Sequence, residues 1–154
     1  MRPATYDDLN GFVRGIKRSF VHLETRDAYG TEIEQPHIEK WRRGEPDDSD
    51  WLDSWLETLR GHRAAGRTCR RARIVSEPVS EYQRWTLSHA DRFIDAGEDI
   101  GYVPRPRLAT VCLPGSGLNV GFETTEDPQI VQACREAFEA VWELAVPFRD
   151  YRPQ

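Results

Sequence analysis

Residues 70–107 read RRARIVSEPVSEYQRWTLSHADRFIDAGEDIGYVPRPR, and their pattern decides the fold. From Thr68 to Val75 arginines and aliphatics alternate, the period of a strand: Arg71, Arg73 and Val75 share one face, Ala72 and Ile74 the other. Pro78 ends the strand. Ser80 is placed to cap a helix carrying Tyr82, Arg84 and Trp85 and running to about Ile94. Ala96-Gly97-Glu98-Asp99 then resets the chain before a short strand, Ile100 to Val103, that stops at Pro104 and Pro106.

The same periods extend outward in both directions. Ser19 to Arg26 (SFVHLETR) alternates, with Phe20, His22, Glu24 and Arg26 on one face and Val21, Leu23 and Thr25 on the other. Trp51 to Ala65 repeats apolar residues with helical spacing at Trp51, Leu52, Trp55, Leu56 and Leu59, and Gly66 stops it. Asp7 to Ile16 predicts a short helix weakened by two glycines, and Ile33 to Arg43 a second one after Pro36, ending at Gly44. Leu108–Leu113 and Leu118–Phe122 predict a hairpin around Pro114-Gly115-Ser116-Gly117. Asp127 precedes a proline that opens the last helix, Pro128 to Val146, whose apolar stripe runs through Ile130, Val131, Cys134, Ala137, Phe138, Val141, Trp142 and Ala145. Strands and helices alternating in this way predict a single α/β (or α+β) domain over residues 1–154, with a mixed sheet of four to five strands packed by helices.

Bulk composition narrows the function classes. With 38% hydrophobic and 31% charged residues and five tryptophans, the chain has the balance of a soluble globular protein. A net charge of −5 argues against direct nucleic-acid binding, which needs clustered cations. The run Arg60, Arg63, Arg67, Arg70, Arg71, Arg73 leaves a local anion patch open, although a solvated helix end followed by an edge strand also explains it. No apolar run reaches membrane-helix length, and the amino terminus has no apolar leader core. Cys69, Cys112 and Cys134, odd in number and without a CxxC pair, fit the reduced thiols of a cytoplasmic protein.

If the Ser19–Arg26 and Thr68–Val75 strands lie in one sheet, Glu24 and His22 approach Arg71 or Arg73, with Tyr82, Arg84 and Trp85 nearby on the next helix. Buried ions are costly unless paired, so such a cluster is either a solvated ion-pair lattice or a built polar pocket. The ligand-binding candidates are therefore Glu24, Arg71, Arg73, Tyr82, Arg84 and Trp85. Acid–base candidates for an enzyme are Glu24, Glu77 and His89. Ser76 and Ser80 lack a neighbouring base and read as a turn and a helix cap. The four histidines show no metal-ligand spacing, and the glycines of 113–117 fit neither GxxxxGK[ST] nor GxGxxG, so neither a metal nor a cofactor is expected.

Leu23-Glu24-Thr25-Arg26-Asp27-Ala28-Tyr29, then Trp51 and Trp55, then Arg71-Ala72-Arg73-Ile74-Val75-Ser76-Glu77-Pro78 with Ser80, Tyr82, Arg84 and Trp85 resembles a family of small actinomycete proteins catalogued as a domain of unknown function. Ala96-Gly97-Glu98-Asp99, Pro104-Arg105 and Phe138 to Pro147 continue the likeness over nearly the whole chain. The resemblance implies a strand–helix–strand core distantly like the phospholipase-D fold, without its HxK signature. It also implies a genomic neighbour of helix-turn-helix type. After Leu113 the chain departs from the family, its aromatic and acidic segment shortened to Gly115-Ser116-Gly117-Leu118-Asn119.

The expectation is therefore a cytoplasmic accessory or regulatory module that binds a small anionic ligand or a protein partner, such as a helix-turn-helix regulator, through its polar sheet face. A small cofactor-independent cyclase, isomerase or hydrolase of secondary metabolism is the competing expectation. The aromatic content also suits a homodimer.

Overall fold

The computed structural model describes residues 11–24, 35–46, 50–104 and 127–153. Three parallel strands, β1 (Phe20–Glu24), β2 (Cys69–Val75) and β3 (Glu98–Pro104), lie side by side, and a two-residue β4 (Val146–Pro147) pairs antiparallel with β3. The sheet order is β1-β2-β3-β4. Parallel neighbours need a crossover. Helices α1 (Gln35–Arg42) and α2 (Asp50–Ala64) join β1 to β2, and α3 (Glu81–Leu87) and α4 (Ala90–Ala96) join β2 to β3. Helix α5 (Pro128–Trp142) precedes β4, and residues 11–14 are helical. This is the expected small α/β domain with a mixed sheet, four-stranded among the described residues.

Register decides which side chains meet. Phe20, Cys69 and Glu98 are partners across the three strands, as are His22, Arg71 and Ile100, and Glu24, Arg73 and Tyr102. Since strand side chains alternate, these nine share one face. Leu52, Trp55, Leu56 and Leu59 of α2 and Phe93 and Ala96 of α4 cover it, forming the main core with Cys69, Val75, Ile100 and Tyr102. Phe138 and Val141 of α5 cover the opposite face over Ala72, Ile74 and Val103. A third cluster of Ile38, Tyr82 and Trp85 ties α1 to α3.

Geometry requires glycine at positions 66 and 101, for different reasons. Gly66 has φ +72° and ends α2 in a doubly bonded turn, its own N–H on the Arg63 carbonyl and the Arg67 N–H on the His62 carbonyl. Gly101 lies where the end of α5 meets the sheet: a Cβ there would stand 2.7 Å from the Ala145 Cβ and 3.1 Å from the Trp142 ring.

Several expectations need correction. The helix expected from Ser80 to Ile94 is two helices, because the Ser88 hydroxyl donates to the Trp85 carbonyl and His89 leaves helical geometry. The last helix ends at Trp142, and Val146 and Pro147 leave it to pair with Tyr102 and Gly101. Its apolar stripe is not uniformly core: Phe138 and Val141 are buried, whereas Ile130 is 49% exposed and Val131 41%. The basic run does not lead into an edge strand, since β2 is flanked on both sides. The third strand begins two residues early, at Glu98. The hairpin over 108–122 and the shortened segment after Leu113 lie outside the described residues.

Candidate functional site

Each strand of the parallel sheet sends polar groups into the core beneath α2 and α4. Glu24 closes β1, Arg71 and Arg73 stand in β2, and Glu98 and Tyr102 stand in β3. Tyr82 reaches the same point from α3, which Ser80 starts by accepting from the Gln83 N–H while Gln83 accepts from the Ser80 N–H. Gln83 also fastens that helix to the end of β2: its Nε2 donates to the Ile74 carbonyl at 3.2 Å and its Oε1 accepts from the Ser76 N–H at 3.1 Å.

Glu24 is the hub. Its Oε2 accepts from Arg71 Nη1 at 2.9 Å, and its Oε1 accepts from Arg73 Nη1 at 2.9 Å and from the Tyr82 hydroxyl at 3.1 Å. Arg71 Nε donates to Glu98 Oε1. The Trp55 and Phe93 rings stand 5.6 and 5.7 Å from the Arg71 guanidinium carbon, within cation–π range. Glu24, Arg71 and Arg73 are 7%, 6% and 6% exposed, and Glu98 is 2%. This is a buried lattice of two carboxylates and two guanidiniums, formally neutral.

Burial works against the Arg71 charge, but Glu98 and Glu24 more than offset it and hold the guanidinium protonated beyond its ordinary range. Tyr102 is fully buried, and that burial pushes its phenol up to about 12 despite the nearby Arg73 and Arg71. The hydroxyl therefore keeps its proton at neutral pH and has a hydrogen to donate. Three buried atoms of this cluster have no hydrogen-bond partner among the described residues: Arg73 Nε, Tyr102 Oη and Glu98 Oε2. Buried polar groups are seldom left in that state.

Of the six residues expected to bind, Glu24, Arg71, Arg73 and Tyr82 converge. Trp85 backs Tyr82 through ring packing at 5.8 Å but belongs to the apolar cluster. Arg84 does not join them: it is exposed and its Nη2 donates to the Val79 carbonyl at 3.0 Å. The acid–base candidates do not converge either. Glu77 is exposed in the turn after β2, and His89 is buried between Trp85 and Phe93, at 4.9 and 5.8 Å. His22 is half-buried beside Arg71 in the register.

Sequence reasoning missed Glu98, Tyr102 and Gln83. Glu98, Ile100 and Tyr102 alternate in step with Arg71 and Arg73, and that period carries the signal, with Gly97 as the helix stop before it. Among the described residues no group of three or more His, Cys, Asp or Glu could hold a metal ion, and no helix is long and apolar enough to cross a membrane. Cys69 and Cys134 are free thiols, the first buried and the second exposed.

A family model described as Domain of unknown function (DUF6879) matches residues 7–118 and 115–153. No curated protein and no solved structure matches the chain.

Proposed function

Because the chain belongs to the DUF6879 family, a domain of unknown function, we propose its role from its own geometry: an accessory binding module that receives a small anionic ligand at the carboxyl ends of β1, β2 and β3. The observation that carries this reading is the pair Arg73 Nε and Tyr102 Oη. They are donors on register partners, both more than nine-tenths buried, and neither has an acceptor among the described residues. A carboxylate has the two oxygens to take both, and a guanidinium edge favours such a planar oxyanion. The carboxyl ends of parallel strands are where open α/β sheets receive ligands.

Glu24 fits this role better than acid–base work. Both of its oxygens are held by arginine, so accepting a proton means breaking a buried ion pair. Glu77 and His89 stand apart from it, which leaves the isomerase, cyclase or hydrolase reading without a convergent acid and base.

The test is a thermal-shift series with small mono- and dicarboxylates and their neutral amides, on the wild type and on Tyr102→Phe. That variant removes one donor and keeps the ring stack on Tyr151 (centroids 4.5 Å apart). A saturable carboxylate shift in the wild type, lost in Tyr102→Phe, supports the site. An equal shift in both proteins removes it.

A further inference from the structure

At the other end of the sheet, a cleft of about 330 Å³ opens between the helical residues 11–14 and the carboxyl-terminal half of α2, lined by Arg14, Glu57, Thr58, Gly61, His62 and Arg67. Its lining carries two guanidiniums whose side-chain partners among the described residues are neutral groups. Arg14 Nη2 donates to Ser54 Oγ at 3.1 Å and its Nε to Thr58 Oγ1 at 3.4 Å. Arg67 Nη1 meets His62 Nδ1 at 3.2 Å.

The fold explains why Arg67 stands there. The left-handed turn at Gly66 folds the chain back so that the Arg67 N–H bonds the His62 carbonyl, returning its side chain to the helix it has just left. His62 is 2% exposed, and its Nε2 lies 2.8 Å from the Val13 carbonyl. A carbonyl can only accept, so Nε2 carries the proton and Nδ1 offers its lone pair to Arg67. That ring is neutral, and so are the two hydroxyls on Arg14. Among the described residues neither guanidinium has a carboxylate partner, and only Glu57 brings negative charge to the lining.

Structural arginines are usually neutralised by an acid; here two line one cleft, and among the described residues neither has a carboxylate partner. We propose that this cleft is a binding site for a phosphate group, free or as the monoester of a small molecule. Phosphate has enough acceptor oxygens to engage guanidiniums from two sides. At neutral pH it is partly protonated, so its remaining O–H has an acceptor in Glu57, whereas sulfate has no O–H to offer. The site is separate from the Arg73–Tyr102 donors.

Isothermal titration of the protein with inorganic phosphate and with glycerol phosphate, at fixed ionic strength in chloride, tests the assignment. One saturable event per chain is expected. Loss of one charge-assisted contact in Arg14→Gln should raise Kd by about tenfold or more. Tyr102→Phe should bind phosphate as the wild type does. Binding of the monoester alone also upholds the site and names the source of the phosphate. Two results overturn the proposal: no saturable binding of either ligand at millimolar concentration, or wild-type affinity in Arg14→Gln. Arg67→Gln is the second variant, with the His62 neighbourhood checked by circular dichroism. Arg14 lies on an exposed helical turn, so the Arg14→Gln titration decides the matter even if Arg67→Gln does not fold.

Discussion

Glu24 and Arg73 are partners twice: they face each other in the β1–β2 register, and their side chains meet at 2.9 Å in the core. Glu24 also neutralises Arg71. Glu24→Ala leaves Arg73 without its counter-charge and Arg71 with Glu98 alone. Removing one partner of a buried pair costs about 3–5 kcal/mol. Urea unfolding should show a loss in that range, while a loss under about 1 kcal/mol is what an exposed bridge gives and contradicts a buried lattice.

Gly101 and Ala145 are the contact through which the end of α5 approaches β3. Gly101→Ala should destabilise by about 1–3 kcal/mol through overpacking. Ala145→Gly in the same chain should recover part of that loss, since the Cβ it removes is the nearest obstruction. A double-mutant cycle on unfolding free energies measures the coupling, and strict additivity would mean the two positions do not touch.

Alkaline pH offers a third check. Burial pushes the Cys69 thiol from about 9 up to about 11, Glu98 adding to the effect, and the Tyr102 phenol from about 10 up to about 12. Both groups hold their proton more tightly folded than unfolded. Their contribution is therefore complete below the unfolded values and lost as pH climbs through the folded ones. The denaturation midpoint should stay level to about pH 9 and then fall. Cys69→Ala should flatten the fall between 9 and 11, and Tyr102→Phe the fall between 10 and 12.

Gln83 is the fourth. Its amide serves the Ile74 carbonyl with a donor and the Ser76 and Ser80 N–H groups with an acceptor. Gln83→Glu keeps the acceptor and turns an oxygen toward the Ile74 carbonyl, so this near-isosteric change should cost about as much as Gln83→Ala, on the order of 1–3 kcal/mol. Guanidinium unfolding of the two variants compares them.

Much of the candidate site is legible in the sequence because strand periodicity is simple. Alternation in 19–26 and 68–75 sorts Glu24, Arg71 and Arg73 onto one face, and the parallel pairing makes them meet. Arg84 is expected beside Tyr82, yet two helical positions are about 200° apart, so a helix that turns Tyr82 inward turns Arg84 outward. Glu98 is hidden by its place directly after Gly97, where a turn and a strand's first residue look alike. The break at Ser88-His89 is hidden too, because a side-chain hydroxyl competing for helical carbonyls leaves hydrophobic periodicity intact. Burial of the lattice depends on α2 and α4 lying over it, a tertiary fact no local pattern carries.

The Glu24–Arg73 pairing has a further consequence for how the strands find each other. If β1 slid by one residue along β2, Glu24 would turn to the opposite face and Val21 and Leu23 would meet Arg71 and Arg73. Two guanidiniums would then enter the core with Glu98 as their sole compensation. A slip that purely aliphatic strands could tolerate is thereby made prohibitive, and the charges act as a key that admits one alignment of the sheet.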